Sequence, residues 1–197
     1  MSRIAAGALK GFPLAVPRQI RATQEKVRQA LFNILGELVV GSRVLDGFAG
    51  SGAIGLEALS RGARDVVFLE AHPASVRALR DNLAALPAGA VPGTTELIAG
   101  DALRSLRRLG GAGRRFDLIV LDPPYEGLWA KNALIAVGEC GMLSPIGTLV
   151  VEHARQGVLP DEAGSLIRVK QHRYGDTVLS FYQQHSCAPS IQAPLTP

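Results

Sequence analysis

At 197 residues, 47% of them hydrophobic, the chain suits one domain with a sizeable core and is too apolar for a disordered one. Its two cysteines, Cys140 and Cys187, lie far apart, which argues against a disulfide framework or cysteine-based zinc site and for a reducing cytoplasm. No apolar stretch reaches the ~18 residues of a membrane span, and the opening MSRIAAGALKG lacks a signal peptide's apolar region, so no membrane partner is expected.

Net charge is +4, and its excess lies in residues 1–35, where Arg3, Lys10, Arg18, Arg21, Lys26 and Arg28 face Glu25 alone. Such an excess is either a solvated surface or an arm that contacts phosphates. Residues 1–22 read as a basic hairpin or extended arm, with Gly7 and Gly11 as punctuation and Pro13 and Pro17 opposing a helix. The main domain is expected over 23–185. Thr23 is placed to cap a helix of about four turns, in which Val27, Ala30, Leu31, Ile34, Leu35 and Leu38 recur at helical spacing. Lys26 and Arg28 fall on its predicted basic face.

From Arg43 the pattern alternates. Strands are predicted at RVLD (43–46), DVVFLE (65–70), TELIAG (95–100), FDLIVLD (116–122) and GTLVVEH (147–153). Between them lie the glycine-rich turn GFAGSGAIG and helices over 56–62, 73–86, 101–109 and 129–140, with Pro73 suited to a first turn. Residues 165–184 alternate around Gly175-Asp176 as a terminal hairpin. Residues 186–197 read as a disordered tail. The order implies right-handed βαβ units: an α/β, mainly parallel sheet covered on both faces, with antiparallel strands at one edge.

Gly50, Gly52 and Gly55 satisfy G-x-G-x-x-G, and Glu70 lies where a ribose-binding acid belongs, which alone reads as a nicotinamide-dependent oxidoreductase. The bland alternative is a tight strand-to-helix turn. Asp46 argues against a dinucleotide, because a carboxylate before the glycines repels a pyrophosphate and suits a cation. S-adenosylmethionine carries an ammonium and a sulfonium and no phosphate. Glu70 can then accept ribose hydroxyls and Asp101 an adenine amine, and Asp122 completes four acids at four successive strand ends. The structural alternative for Asp101 is a helix cap.

Asp122-Pro123-Pro124-Tyr125 ends a buried strand in an acid, a rigid loop and a ring. An exocyclic base amine is a poor nucleophile because its lone pair is delocalised. Asp122 and the Pro123 carbonyl, both accepting from the amine, would aim that lone pair, and Tyr125 can stack on the base. The alternative is a strand-ending turn with a half-buried tyrosine. His72, His153, His172 and His185 form no metal-ligand pattern and read as surface or strand-end residues, so no metal is expected.

FAGSG and DPPY resemble class I S-adenosylmethionine-dependent methyltransferases acting on exocyclic amines. Together with RIAAGALKG, IRATQEKVRQALFNIL, VLDGFAGSGAIGLEALSRGA, VVFLE and RYGDTVLSFY, they resemble the RsmD family of small-subunit ribosomal RNA guanine-N2 methyltransferases, from about Arg3 to Tyr182. The resemblance implies a Rossmann-like seven-stranded methyltransferase sheet with a small N-terminal extension. It implies S-adenosylmethionine as cofactor and, as partner, 16S rRNA within the small ribosomal subunit, with guanine 966 the family's expected position. By position, Asp46, Phe48, Gly50, Ser51 and Gly52 would border the methionine part of the cofactor, Glu70 the ribose and Asp101 the adenine. Asp122, Pro123 and Tyr125 would handle the guanine, and Arg3, Lys10, Arg21 and Arg28 the rRNA phosphates. The chain departs from the family at Gly47, commonly Leu, and Ala22, commonly Pro. The competing readings are a DNA adenine-N6 methyltransferase, the oxidoreductase, and a non-catalytic ribosome-assembly factor.

Overall fold

The computed structural model describes residues 2–16, 25–91 and 93–185. The predicted domain boundary at residue 22, the Thr23 cap, Arg21 and the tail over 186–197 lie outside the described residues.

In chain order the elements are β1 (Ser2–Arg3), β2 (Pro13–Leu14), α1 (Glu25–Leu35), β3 (Arg43–Gly47), α2 (Ala53–Ser60), β4 (Asp65–Glu70), α3 (Pro73–Ala84) and β5 (Thr94–Ala99). Then follow α4 (Ala102–Gly111), β6 (Phe116–Leu121), α5 (Trp129–Glu139), β7 (Leu143–Ala154), β8 (Glu162–Ala163), β9 (Leu166–Tyr174) and β10 (Thr177–Gln184). A single 3-10 turn, Gly36–Val39, follows α1.

The main sheet has eight strands in the order β5-β4-β3-β6-β7-β10-β9-β8. The five strands from β3 to β7 are parallel to their neighbours, and β10 and β9 add antiparallel. Seven strands match the expected sheet. The eighth is the two-residue β8, which pairs with the outer edge of β9 where no helix intervenes after β7. The chain winds outward from β3 to β5, then crosses back to β6 beside β3. That reversal is the switch point where open α/β sheets take ligands, and the glycine loop and the Asp-Pro-Pro-Tyr loop leave the sheet on either side of it.

Strand residues alternate between two core layers, as the pleat requires. Val44, Val66, Phe68, Leu118 and Val120 face α1, α2 and α3. Leu45, Val67, Leu69, Ile119 and Leu121 face α4 and α5. Each fully buried side chain of this kind contributes roughly 1.5–3 kcal/mol. The β7 strand begins earlier than the sequence pattern suggests, because Leu143 already pairs with Phe116 ahead of the bulge.

The N-terminal arm is a small hairpin of β1 and β2, docked onto α2. The buried Glu57 carboxylate accepts the N–H groups of Ala5 (2.7 Å) and Ala6 (3.0 Å). The Ser60 hydroxyl accepts the N–H of Leu9 (2.9 Å), and the Ser60 carbonyl that of Ala8 (2.7 Å). Gly7 is required at this contact: at φ +81° a Cβ would lie 1.9 Å from the Ser60 carbonyl oxygen.

One expectation fails here. Arg28 is not on an exposed basic face; it is 1% exposed. Its guanidinium donates to the Ser2 hydroxyl (3.1 Å) and the Arg3 carbonyl, and its Nε lies 3.8 Å from Glu57 Oε2. The buried stripe of α1 is Val27, Arg28, Leu31, Phe32 and Leu35, whereas Leu38 is exposed. The helix is therefore rotated relative to the predicted face, and Arg28 ties the arm to the core.

Candidate active site

The carboxyl ends of the parallel strands bring most of the predicted residues to one edge. Asp46 lies within β3 and is 1% exposed. Its Oδ2 accepts the Gly55 N–H at 2.8 Å, beneath the glycine loop. Burial pushes its carboxyl up to about 7, the Gly55 N–H opposes that, and the nearby charges of Asp122 and Glu70 raise it further.

Glu70 ends β4 with both oxygens engaged by backbone. Oε2 accepts the Gly50 N–H (2.6 Å) and Oε1 the His72 N–H (2.7 Å). Each oxygen keeps a further lone pair for a ligand hydroxyl. A pyrophosphate-binding loop would aim its N–H groups at the ligand. Here two of them are held by acids of the chain, so the donor set fits a cationic cofactor better than a dinucleotide. Gly52 caps α2 with φ +84°, a left-handed conformation that glycine takes without strain. Ser51 is buried in the same loop, and its carbonyl accepts from Asn82 (2.9 Å). Gly47, the departure from the family pattern, fits its site: a Cβ there would sit 2.6 Å from Leu121 Cδ2.

Asp101 is exposed at the end of β5, and its Oδ1 accepts the Arg104 N–H at 2.8 Å. The helix-cap alternative is thus realised, through one of the two carboxylate oxygens.

Phe48 has φ 69°, a strained value for a bulky non-glycine residue. Its ring meets Trp129 edge-on at 6.2 Å, so it bridges the glycine loop and the start of α5. Strain held in this way clusters at functional sites.

After β6, Asp122 is half-buried and Pro123 buried. The Asp122 N–H donates to the Gly47 carbonyl at 3.3 Å, fastening the loop to β3. The Tyr125 hydroxyl donates to Glu152 Oε1 at 2.8 Å and lies 2.7 Å from Thr177 Oγ1. A phenol has one proton, so Thr177 is the donor in the second bond. Burial pushes the Tyr125 hydroxyl up to about 12, with Thr177 opposing and the Glu152 and Asp122 charges adding to the rise. Pro123, Pro124 and Tyr125 line a cavity of about 300 Å³ with Leu128, Lys131 and Glu152 among its other walls.

Glu152 is hidden inside an apolar strand pattern and makes a fifth acid at this edge. The signal that finds it is strand register: Val150 and Val151 pair with Val120 and Leu121, so Glu152 follows level with Asp122. His153 takes the strand-end alternative rather than the surface one: it is buried one residue before the end of β7, its Nδ1 3.0 Å from the Ala154 carbonyl and its Nε2 2.9 Å from Ser180 Oγ. Burial lowers its pKa. Among the described residues, no group of His, Cys, Asp and Glu is placed to hold a metal, and no helix is long and apolar enough to cross a membrane.

Of the predicted phosphate contacts, Arg3 and Lys10 are exposed on the arm, with Arg3 Nη1 donating to the Gly11 carbonyl at 2.8 Å. Arg28 is removed from that set by its burial, and Arg21 lies outside the described residues. Arg104, Arg107 and Arg108 on α4 are exposed and were not singled out in the sequence.

Residues 2–183 match the family described as Conserved hypothetical protein 95. The chain is 36% identical to ribosomal RNA small subunit methyltransferase D of Haemophilus influenzae over 152 residues, 76% of this chain and 77% of that protein. It is 30% identical to the Escherichia coli K12 protein of the same name over 186 residues, 93% of this chain and 90% of that one. A solved Escherichia coli structure, yhhF, superposes with a TM-score of 0.80 at 31% identity, covering 93% of this chain and 97% of that chain. With the acids, the glycine loop and Asp-Pro-Pro-Tyr gathered at one sheet edge, and these likenesses running nearly end to end, the chain belongs to the RsmD family of ribosomal RNA methyltransferases.

Proposed function

We propose that this chain transfers a methyl group from S-adenosylmethionine to the exocyclic N2 amine of one guanine in 16S rRNA of the small ribosomal subunit. The observation that carries the reading is a cavity of about 300 Å³ lined by Pro123 and Tyr125, in the loop that Asp122 opens and fastens through its N–H to Gly47, the residue before the acid-braced glycine loop. The names of the relatives support a small-subunit RNA substrate.

Bound S-adenosylmethionine supplies an electrophilic methyl group on a positively charged sulfur. Phe48, Gly50, Ser51 and Gly52 would border its methionine part, with Asp46 bracing the loop from below. Glu70 would accept from the ribose hydroxyls and Asp101 from the adenine amine. The target base must leave its stack to reach the cavity. Asp122 and the Pro123 carbonyl would accept the two amine hydrogens and turn the nitrogen lone pair toward the methyl group. Such positioning is worth several kcal/mol of barrier. The Tyr125 ring stacks on the base, worth ~1–3 kcal/mol. Arg3 and Lys10 contact phosphates from the arm.

The test offers methyl-labelled cofactor with hypomethylated small subunits, naked 16S rRNA and DNA, and maps the modified base. Label on a guanine N2 of the RNA is expected; label on DNA adenine, or none on RNA, would overturn the reading. In the same assay Asp122→Ala should bind cofactor within a fewfold of the wild type and lose turnover by roughly a hundredfold or more. Unimpaired turnover refutes the role given to Asp122.

A further inference from the structure

The Asp-Pro-Pro-Tyr loop explains how an amine is held, and it serves the N6 of adenine as well as the N2 of guanine. The two bases differ in what lies beside the amine. Guanine presents two adjacent donors, N2–H₂ and N1–H. Adenine presents one donor, N6–H₂, beside N1, a bare acceptor. A site that takes guanine therefore needs a second acceptor next to the first.

The sheet supplies one. Strands β6 and β7 are parallel neighbours with Val120 opposite Val150 and Leu121 opposite Val151. The next residues, Asp122 and Glu152, lie side by side at the carboxyl edge, on strands ~5 Å apart. Alternation turns both toward the layer that holds Val120 and Val150. Glu152 lines the cavity together with Pro123 and Tyr125. Its carboxylate is fixed by the Tyr125 hydroxyl at Oε1, and Tyr125 is fixed in turn by Thr177. A carboxylate oxygen that accepts one hydrogen bond retains a lone pair for another.

We propose that Glu152 selects guanine over adenine by accepting the guanine N1–H while Asp122 and the Pro123 carbonyl hold the N2 amine. Against adenine, the same carboxylate, of a residue only 5% exposed, meets the N1 lone pair, acceptor against acceptor. A site built to hydrogen-bond a substrate N–H rejects an analogue that lacks it by large factors. Tyr125 is then a positioning residue for the carboxylate as well as a stacking surface. The inference rests on the reading that the chain methylates a guanine N2 in ribosomal RNA.

The experiment uses small subunits reconstituted with RNA that carries, at the mapped target, either guanine or 2,6-diaminopurine. Diaminopurine keeps the N2 amine and replaces N1–H by a bare acceptor. The ratio of kcat/KM for N2 methylation of the two is measured for the wild type, Glu152→Gln and Tyr125→Phe. The wild type should prefer guanine by about a hundredfold or more. Glu152→Gln, whose amide can donate to a bare N1, should bring the ratio within about tenfold of unity. Tyr125→Phe keeps the stacking ring and removes the hydroxyl that fixes the carboxylate, so its ratio should fall between those of the wild type and Glu152→Gln. Equal use of the two bases by the wild type, or an unchanged ratio in Glu152→Gln, overturns this inference and leaves guanine methylation standing. No methylation of the guanine subunits by the wild type overturns both. If Glu152→Gln fails to fold, Tyr125→Phe decides in its place: a ratio unchanged from the wild type overturns the inference.

Discussion

Replacing Arg28 by alanine separates two roles that the sequence could not tell apart. As a phosphate contact, Arg28 would be dispensable for folding. In the structure its side chain and that of Glu57 are both 0% exposed, and it joins Glu57, the Ser2 hydroxyl and the Arg3 carbonyl. Burial pulls its guanidinium below the usual arginine value, and Glu57 opposes that fall. Removing one partner of a buried ion pair costs about 3–5 kcal/mol. Glu57 would retain Arg61 at 2.8 Å and the Ala5 and Ala6 N–H groups, so the lower end, about 3 kcal/mol, is expected. For a chain of this length that lowers Tm by roughly 6–12 °C. Urea unfolding followed by circular dichroism gives the free energy directly. RNA binding by the folded variant, measured against salt, gives the number of phosphate contacts. A stability loss under about 1 kcal/mol, together with a salt slope reduced by about one, would refute the structural role and return Arg28 to the phosphate-binding set.

Asp46 predicts a pH effect. Its folded pKa, about 7, lies above its ordinary value of 3.8, so the folded state holds the proton over the window where the unfolded state has lost it. Its contribution to stability is fullest below pH 4 and declines as pH rises through about 7, by on the order of 4 kcal/mol. Asp46→Asn should therefore gain on the wild type between pH 4 and pH 8 in denaturant titrations of the cofactor-free protein; a constant gap contradicts the assignment. Asn82 is 3% exposed, donates to the carbonyls of Ala15 and Ser51, and accepts the Ala15 N–H. Asn82→Leu should cost about 2–4 kcal/mol and speed amide exchange in both the arm and the glycine loop. Exchange that rises in the arm alone would show that the two are not joined through this side chain.

The strands, the glycine loop and Asp-Pro-Pro-Tyr were legible because each is written locally: a short apolar run, then residues that stop it. What was lost depended on distant partners. The stripe on α1 was assigned from aliphatic residues, which left out Phe32. Arg28 precedes Phe32 by four positions and Leu35 by seven, so helical spacing alone puts it on the buried face. Its charge argued otherwise, because its partner Glu57 lies on another helix. Glu152 sat in an apolar strand, and only the β6–β7 register sets it beside Asp122. Charge counting misled for a related reason. Asp46, Glu57, Glu70 and Glu152 are all buried, so the surface offered to RNA beyond the arm is more basic than the sum over residues suggests.

The Asn82 bridge carries a consequence for the order of events in a catalytic cycle. One amide holds the arm at Ala15 and the glycine loop at Ser51. Under the proposed function, in which the arm contacts RNA and the loop holds the cofactor, whatever shifts the arm biases the loop, and filling the loop biases the arm. Thermodynamic linkage makes the two influences equal in size, so an enzyme charged with its methyl donor and an empty one should differ in their grip on RNA by the same factor that RNA changes the grip on the donor.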